Sequence, residues 1–162
     1  MLVVFGGLPG TGKTAVSRAV AAALGATFLR IDAVEAAIQR IGFEVGETPV
    51  AYSAAHAVAA DQLQAGRTVV VDAVNPARAA REGWADLARE FNAGVRYVEV
   101  VCSDAAEHRR RVEARQPDLV GHAVPTWQNV LELAYEPWDE PRLVLDNLAS
   151  IEAGVARVLA AL

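Results

Sequence analysis

The stretch Gly7-Leu-Pro-Gly-Thr-Gly-Lys-Thr14 decides the fold that this sequence predicts. It satisfies the pattern G-x-x-x-x-G-K-[S/T] at every fixed position, and it lies between an apolar run, residues 2–5, and a stretch of helical period, residues 13–24. A loop of this kind wraps its backbone N–H groups around phosphate oxygens, and the positive end of the following helix adds to the attraction. We therefore predict a phosphate-binding loop; the alternative is a glycine turn that caps an ordinary helix.

The end of the loop carries two side chains with predicted chemical roles. Lys13 reaches the β- and γ-phosphates, and the Thr14 hydroxyl binds Mg²⁺. Lys13 is the only lysine among 15 basic residues, and it stands where a compact ammonium group fits and a planar guanidinium does not. The residues predicted to bind ATP in this loop are Gly7, Leu8, Pro9, Gly10, Thr11, Gly12, Lys13, Thr14 and Ala15.

The composition indicates one globular domain over residues 1–162. The chain is 53% hydrophobic and 22% charged, far from the composition of disordered chains. Its net charge of -5 repels polyanions, so neither a nucleic acid nor an anionic membrane is the expected partner, although a local basic groove stays open for nucleic acid. The single cysteine, Cys102, excludes an internal disulfide, and the first residues lack a signal-peptide pattern. We expect a cytoplasmic protein.

Short apolar runs alternate with alanine-rich stretches of helical period, which is the pattern of βα units around a parallel sheet. The runs are nearly continuous in apolar residues, which is typical of strands buried on both faces. The pattern predicts the α/β class, with a doubly wound, five-stranded parallel sheet between two helix layers. The predicted strands cover residues 2–5, 27–31, 68–72, 95–102 and 142–146. The predicted helices cover residues 13–24, 33–41, 50–65, 76–91, 104–115, 125–134 and 150–162.

The phosphate loop alone leaves GTPases, motor-type ATPases and kinases open, so residues at other strand ends must discriminate among them. In a doubly wound sheet, ligands bind beyond the carboxyl ends of the strands. Three acids stand at such ends: Asp32, Asp72 and Asp146. We predict that Asp72 holds Mg²⁺ and that Asp32 accepts the proton of a hydroxyl acceptor, as phosphoryl transfer requires. The alternative, favoured for Asp146, is that each acid only caps the following helix.

Four arginines follow the fourth predicted strand, and helical geometry separates them. Neighbouring helical residues point about 100° apart, whereas Arg111 and Arg115 are four positions apart and share a face. We predict that this pair leans over the nucleotide, with Arg115 in the catalytic role, while the other two arginines lie in solvent. A short lid around residues 111–126 is predicted to exclude water from the site. The alternatives are salt bridges to glutamates of the same helix and an ordinary helix connection.

The run Val69-Val-Val-Asp-Ala-Val-Asn-Pro-Ala-Arg78, followed by Trp84 and Leu87-Ala88, resembles the corresponding stretch of the 5′-kinase domain of bacteriophage polynucleotide kinase and its small bacterial P-loop kinase relatives. That group includes zeta toxins, chloramphenicol phosphotransferase and gluconate kinase. The phosphate loop, Asp32 and the arginine pair extend the resemblance from residue 2 to about residue 124. The resemblance implies a P-loop NTPase fold of the nucleoside-kinase type, Asp32 as the base, and arginines in a lid over ATP.

One position departs from the pattern of this family. The phage enzyme has an arginine three residues after its catalytic aspartate, where it helps to hold the phosphorylated acceptor end, and Glu35 stands there in this sequence. An acid at this position suits a phosphorylated nucleic-acid end poorly and favours a neutral or cationic hydroxyl compound. The residues predicted to contact the acceptor are Asp32, Glu35, Asn75 and Arg78.

These observations predict an ATP- and Mg²⁺-dependent kinase that phosphorylates a hydroxyl group of a small molecule. Its predicted catalytic residues are Lys13, Asp32 and Arg115. Two alternatives stay open: a polynucleotide 5′-hydroxyl kinase, and a nucleotide-dependent regulatory or toxin-like ATP-binding module. Asp32 discriminates between a kinase and a pure switch, because a switch does not need a proton acceptor.

Overall fold

Five parallel strands form one sheet at the centre of the computed structural model, which describes residues 1–43, 49–120 and 123–162. The strands are β1 (Leu2–Gly6), β2 (Thr27–Arg30), β3 (Val69–Asp72), β4 (Val95–Val101) and β5 (Arg142–Asp146). Their order across the sheet is β2-β3-β1-β4-β5, so the strand that leads into the phosphate loop lies in the middle. The predicted five-stranded, doubly wound parallel sheet is confirmed.

Helices cover both faces of the sheet. Those in the described residues are α1 (Lys13–Leu24), α2 (Ile31–Arg40), α3 (Val50–Gln64), α4 (Arg78–Glu90), α5 (Ala105–Glu113), α6 (Trp127–Glu132) and α7 (Ile151–Ala161). Helices α1 and α7 pack together on one face, while α3 and α4 pack on the other. None of the helices in these ranges is both long and apolar enough to cross a membrane.

The side chains of β1 pack alternately into two separate apolar cores. Leu2 and Val4 point to the core that includes Trp84 of α4, and Val3 and Phe5 point to the core beneath α1 and α7. All four side chains are fully buried. A strand covered on both faces needs an apolar residue at every position, and that requirement explains the unbroken apolar run in the sequence.

Two helices begin later than the prolines at positions 76 and 125 predict. Asn75 adopts a left-handed backbone conformation (φ 51°), and Ala77 is extended, so α4 begins only at Arg78. Helix α6 begins after Thr126, whose hydroxyl accepts a hydrogen bond from the backbone of Asn129 in a capping box. In both places local hydrogen bonding sets the boundary.

The carboxyl ends of the parallel strands meet at one edge of the sheet, and this edge positions the site. In the pairing register, Phe5 of β1 lies beside Asp72 of β3, and Arg30 of β2 lies on the other side of Asp72. The phosphate loop leaves β1 at the same edge. Side chains from three neighbouring strands therefore face one region, as expected for ligand sites in sheets of this kind.

Candidate active site

The loop between β1 and α1 has a backbone conformation that requires glycine at two positions in particular. Gly7 and Gly12 have φ angles of 135° and 87°, which side-chain-bearing residues rarely adopt. A Cβ atom at Gly7 would lie 2.2 Å from the carbonyl oxygen of Val100, and one at Gly12 would lie 2.2 Å from the amide nitrogen of Asn147. Glycine is thus required at these two positions both by the backbone conformation and by the lack of space for a Cβ atom.

Two side chains hold the outside of this loop. His108 of α5 donates from Nε2 to the carbonyl oxygen of Pro9 at 2.8 Å. Asn147, directly after β5, donates from Nδ2 to the carbonyl oxygen of Thr11 at 2.9 Å. Because these two bonds use carbonyl groups, they do not occupy the N–H groups of the loop, although those of Gly7, Thr11 and Ala15 already donate to backbone carbonyls. This arrangement fits the phosphates of a nucleotide.

Lys13 and Asp72 face each other inside this loop. Lys13 is buried, and burial lowers the pKa of its ammonium group, while the nearby Asp72 and Asp32 charges act in the opposite direction. Burial likewise raises the pKa of the Asp72 carboxyl, against the positive charge of Lys13 and the influence of the nearby Thr14 hydroxyl. The ammonium and the carboxylate therefore stabilise each other in a site that shields both from water.

The Asp72 carboxylate suits a divalent cation. Among the described residues, neither of its buried oxygens has a hydrogen-bond partner, which is costly unless another group binds there. The same residues contain no cluster of three or more histidine, cysteine, aspartate or glutamate side chains that could hold a metal alone. Mg²⁺ commonly binds to one or two protein oxygens together with phosphates and water, so Asp72 and Thr14 fit the predicted metal ligands.

Asp32 lies in the first turn of α2 and does not cap that helix with its side chain. Its carboxylate instead accepts a hydrogen bond from Nη2 of Arg30 at 3.2 Å, and Nη2 of Arg115 lies 3.9 Å away. Arg30 also approaches the carboxylate of Asp72, with 3.8 Å between Nε and Oδ2. Arg30 thus connects the predicted base to the predicted metal ligand.

Arg111 and Arg115 line the same cavity as the phosphate loop, although Arg115 lies beyond the end of α5. Arg111 donates from Nη1 to the carbonyl oxygen of Asn147 and from Nε to Glu107 of its own helix. The cavity has a volume of about 410 Å³. It is lined by Gly10, Gly12, Lys13, Thr14, Ala15, Arg30, Arg110, Arg111, Ala114, Arg115 and Asp118.

The segment between α5 and α6 contains the predicted lid. Residues 121–122 of this segment lie outside the described residues. Asp118 of the segment reaches the cavity, where its carboxylate contacts both Arg30 and Arg115. Arg109 and Arg110 are largely exposed and pair with glutamates of α5, as expected for arginines in solvent, although Arg110 also lines the cavity.

The four residues predicted to contact the acceptor do not come together. Glu35 is half-buried near Asp32, and burial together with the Asp32 charge raises the pKa of its carboxyl. Asn75 is fully buried and bonds to the carbonyl oxygen of Phe5 and the indole of Trp84. Arg78 is exposed and pairs with Asp139. None of the four residues, Asp32 and Glu35 included, lines the cavity beside the phosphate loop.

Asp146 does not cap the helix that follows it, contrary to the alternative favoured from the sequence, because Ser150 is the N-cap of α7. Its carboxylate accepts hydrogen bonds from the backbone and the hydroxyl of Ser103.

Four residues of the site were missed by sequence reasoning: Arg30, His108, Asp118 and Asn147. Arg30 had a usable signal, because a charged residue that ends an apolar strand, two positions before a candidate base, is unusual for a doubly covered sheet. Asn147 also directly follows a strand. Asp118 had no such signal, since it lies in an irregular segment 88 residues from its partner Arg30.

Comparisons with known proteins show the family and the fold of this chain. Residues 2–133 match the model of AAA_33, a family described as an AAA domain. No curated protein matches the sequence.

Several solved structures share the fold over nearly the whole chain. A sugar kinase from Janibacter sp. HTCC2649 is 21% identical, with a TM-score of 0.69 over 98% of this chain and 92% of that one. A gluconokinase from Sinorhizobium meliloti 1021 is 24% identical, with a TM-score of 0.63 over 98% and 93%. The Mycobacterium tuberculosis APS kinase CysC, in complex with AMPPNP and APS, is 21% identical, with a TM-score of 0.74 over 98% and 95%. At these identities the likeness shows a kinase-like P-loop fold, and the resemblance to phage polynucleotide kinase stays a prediction.

Proposed function

The chain belongs to the AAA_33 family of AAA domains, and on that premise we propose that it is an ATP-dependent kinase for a hydroxyl group of a small molecule. One observation carries the proposal. A carboxylate that can accept a proton, Asp32, lies in the same buried cluster as Lys13 of the phosphate loop and Asp72, and Arg30 bonds to it. A protein that only binds a nucleotide does not need this carboxylate.

The phosphate loop supplies the nucleotide site. Its backbone N–H groups and Lys13 bind the phosphates of ATP, and Arg111 lies beside Asn147 on the side of β5, where it packs near the base. Thr14 and Asp72 hold Mg²⁺, which neutralises part of the negative charge on the phosphate oxygens when it is bound. Lys13 adds a fixed positive charge in a site from which water is excluded, so its electrostatic effect is large.

The acceptor side requires a base and a second positive charge. Asp32 accepts the proton of the acceptor hydroxyl while the oxygen of that hydroxyl bonds to the γ-phosphorus and the bond to the ADP oxygen breaks. Arg115, 3.9 Å from Asp32, stabilises the charge on the phosphoryl group during transfer. The residues of the predicted lid that reach the cavity, Arg111, Arg115 and Asp118, help to exclude water, which keeps ATP from simple hydrolysis.

A screen for ADP release tests this proposal. Aminoglycosides, other antibiotics, sugars, hydroxy acids, nucleosides and oligonucleotides with 5′-hydroxyl ends are each incubated with the protein, ATP and Mg²⁺, and the phosphorylated product is identified by mass. We expect a small molecule to be phosphorylated. Phosphorylation of the oligonucleotides alone would contradict the small-molecule assignment, and nucleotide binding without any transfer would indicate a regulatory module.

The variant Asp32→Asn tests the base. It should bind ATP about as well as the wild type and lose turnover by about 10²–10⁴-fold, because an amide of the same size cannot accept the proton. Asp146→Asn is the matched control, since Asp146 is also an acid at the end of a strand but bonds to Ser103. Unchanged turnover in Asp32→Asn would show that Asp32 is not the base.

A further inference from the structure

Arg30 donates two hydrogen bonds to the carboxylate of Asp118, a residue that lies outside the helices and strands. Its Nη1 lies 2.5 Å from Oδ2 of Asp118, and its Nη2 donates to Oδ1 of the same carboxylate at 3.3 Å. A guanidinium group binds carboxylates and phosphates in this paired geometry. The Arg30 side chain is only 5% exposed, and its Nε is buried without a hydrogen-bond partner among the described residues.

Asp118 reaches this buried arginine from the surface. Its side chain is 49% exposed and lies in the irregular segment between α5 and α6. Nη2 of Arg115 donates to its Oδ1 at 3.3 Å, so one carboxylate lies between two guanidinium groups. The hydrogen bond from Arg30 lowers the pKa of the Asp118 carboxyl to about 2, and the group is therefore an anion at neutral pH.

The pair Arg30 and Arg115, called the arginine fork below, lies on the acceptor side of the site. Arg30 ends β2, the edge strand, which is separated from β1 and its phosphate loop by β3. The groups that face the nucleotide, Arg111 and Asn147, lie on the opposite side, near β5. The fork also contacts Asp32, the proposed base, through both of its arginines.

We infer that the arginine fork is a binding subsite for an oxyanion of the phosphoryl acceptor, and that the Asp118 carboxylate occupies this subsite when no acceptor is bound. The inference rests on the proposed function and narrows its substrate class. The acceptor is a hydroxyl compound that also carries a carboxylate or a phosphate, with its hydroxyl at Asp32 and its anionic group at the fork.

This substrate class differs from the neutral or cationic compound that Glu35 alone favours. Glu35 is one half-buried acid, whereas the fork offers two arginines, and the Asp118 carboxylate that lies between them is half exposed.

Malonate binding tests the inference without a known substrate. Malonate carries carboxylates but no hydroxyl, so it occupies an oxyanion subsite and is not phosphorylated. Its affinity is measured by calorimetry at constant ionic strength, with the protein saturated by AMPPNP and Mg²⁺ so that the γ-phosphoryl position is filled. The proteins compared are the wild type, Asp118→Ala, the double variant Asp118→Ala with Arg115→Gln, and the control Asp118→Ala with Arg109→Gln.

We expect Asp118→Ala to bind malonate on the order of tenfold more tightly than the wild type, because an internal competitor is removed. Arg115→Gln should cancel that gain. Arg109→Gln should keep it, since Arg109 is an exposed arginine of the same region that pairs with Glu113. All of these changes are at exposed or partly exposed side chains, so the variants are expected to fold.

Three results would overturn the inference. The first is equal malonate affinity in the wild type and Asp118→Ala, and the second is an equal loss in the Arg109 and Arg115 double variants. The third is malonate binding that occurs only without AMPPNP, which would assign the fork to the γ-phosphoryl group. Failure of AMPPNP itself to bind is measured in the same titrations, and that result would remove the proposed function together with the inference that rests on it.

Discussion

The two sides of the site are built by different means. The nucleotide wall, residues 7–15 with Arg111 and Asn147, comes mostly from one continuous stretch of backbone fixed by left-handed glycines. The acceptor wall, Arg30, Asp32, Arg115 and Asp118, consists of side chains from two distant parts of the chain held by ion pairs. Asn147 and Asp32 belong to these two groups through their hydrogen bonds and ion pairs and do not themselves line the cavity. A backbone wall binds what every nucleotide has in common, its phosphates. In a wall that is built from side chains, the substitution of one residue can change which ligand binds.

The largest expected effect is on the nucleotide wall. Lys13→Ala removes the buried ammonium that faces Asp72, so both ATP binding and phosphoryl transfer should suffer, with turnover reduced by about 10³-fold or more. Turnover is measured as ADP release, and binding as the increase in melting temperature with ATP. If ATP protected Lys13→Ala as well as it protects the wild type, the nucleotide would not bind at this loop.

A smaller effect is expected from Arg111→Ala, also on the nucleotide wall. Arg111 bonds to the carbonyl oxygen of Asn147, which in turn holds the phosphate loop. Its loss should raise the KM for ATP by about tenfold, the equivalent of ~1.4 kcal/mol, with little change in kcat. Arg109→Ala is the control on an exposed arginine of the same helix, which pairs with Glu113 and does not line the cavity. A fall confined to kcat would instead indicate that Arg111 interacts with the transition state, and the nucleotide wall would then not be a binding surface alone.

The smallest expected effect concerns the stability of the acceptor wall. Asp118→Asn weakens the pairing with Arg30, and because Asp118 is half exposed the cost in unfolding free energy should stay below about 1 kcal/mol. Since the pKa of Asp118 falls from 3.8 in the unfolded chain to about 2 in the folded one, this stability is present above pH 3.8 and is lost as the pH falls toward 2.

Urea unfolding of the wild type and Asp118→Asn between pH 8 and pH 3 checks this expectation. The difference between the two proteins should be constant from pH 8 to about pH 4 and should shrink below it. A difference that changed near neutral pH would point to a titrating group other than Asp118.

The same contrast explains what could be predicted from the sequence. The fold was predictable because the central strands β1 and β3 are apolar runs buried on both faces, and because the glycine motif has steric demands that few other loops share. The phosphate-loop part of the nucleotide wall followed from the motif, since its residues are successive, whereas Asn147 was missed. The elements differ from the predictions only at their ends, as at Arg78, where the left-handed Asn75 delays the helix.

The acceptor wall was only partly predictable. Asp32 and Arg115 were predicted as site residues, but the contact of Arg30 with Asp118 spans 88 residues and depends on the path of an irregular segment. Asn75 shows the opposite problem. It is polar and follows a strand that ends in an acid, yet its side chain bonds to Phe5 and Trp84 inside the protein. Local sequence patterns do not distinguish a polar side chain that binds a ligand from one whose hydrogen bonds are made to other groups inside the protein.

Asn75 also fixes the position of the backbone that follows Asp72. Its backbone N–H donates to the hydroxyl of Tyr52 on α3, and its side chain bonds to β1 and α4, so one residue joins three elements just beyond Asp72. The backbone next to Asp72 is therefore fixed by three elements, whereas Asp118 lies in an irregular segment at the surface. If the proposed reaction takes place, Asp72 is the fixed reference position of the site, and the precision of its placement comes from a residue that never touches the ligand.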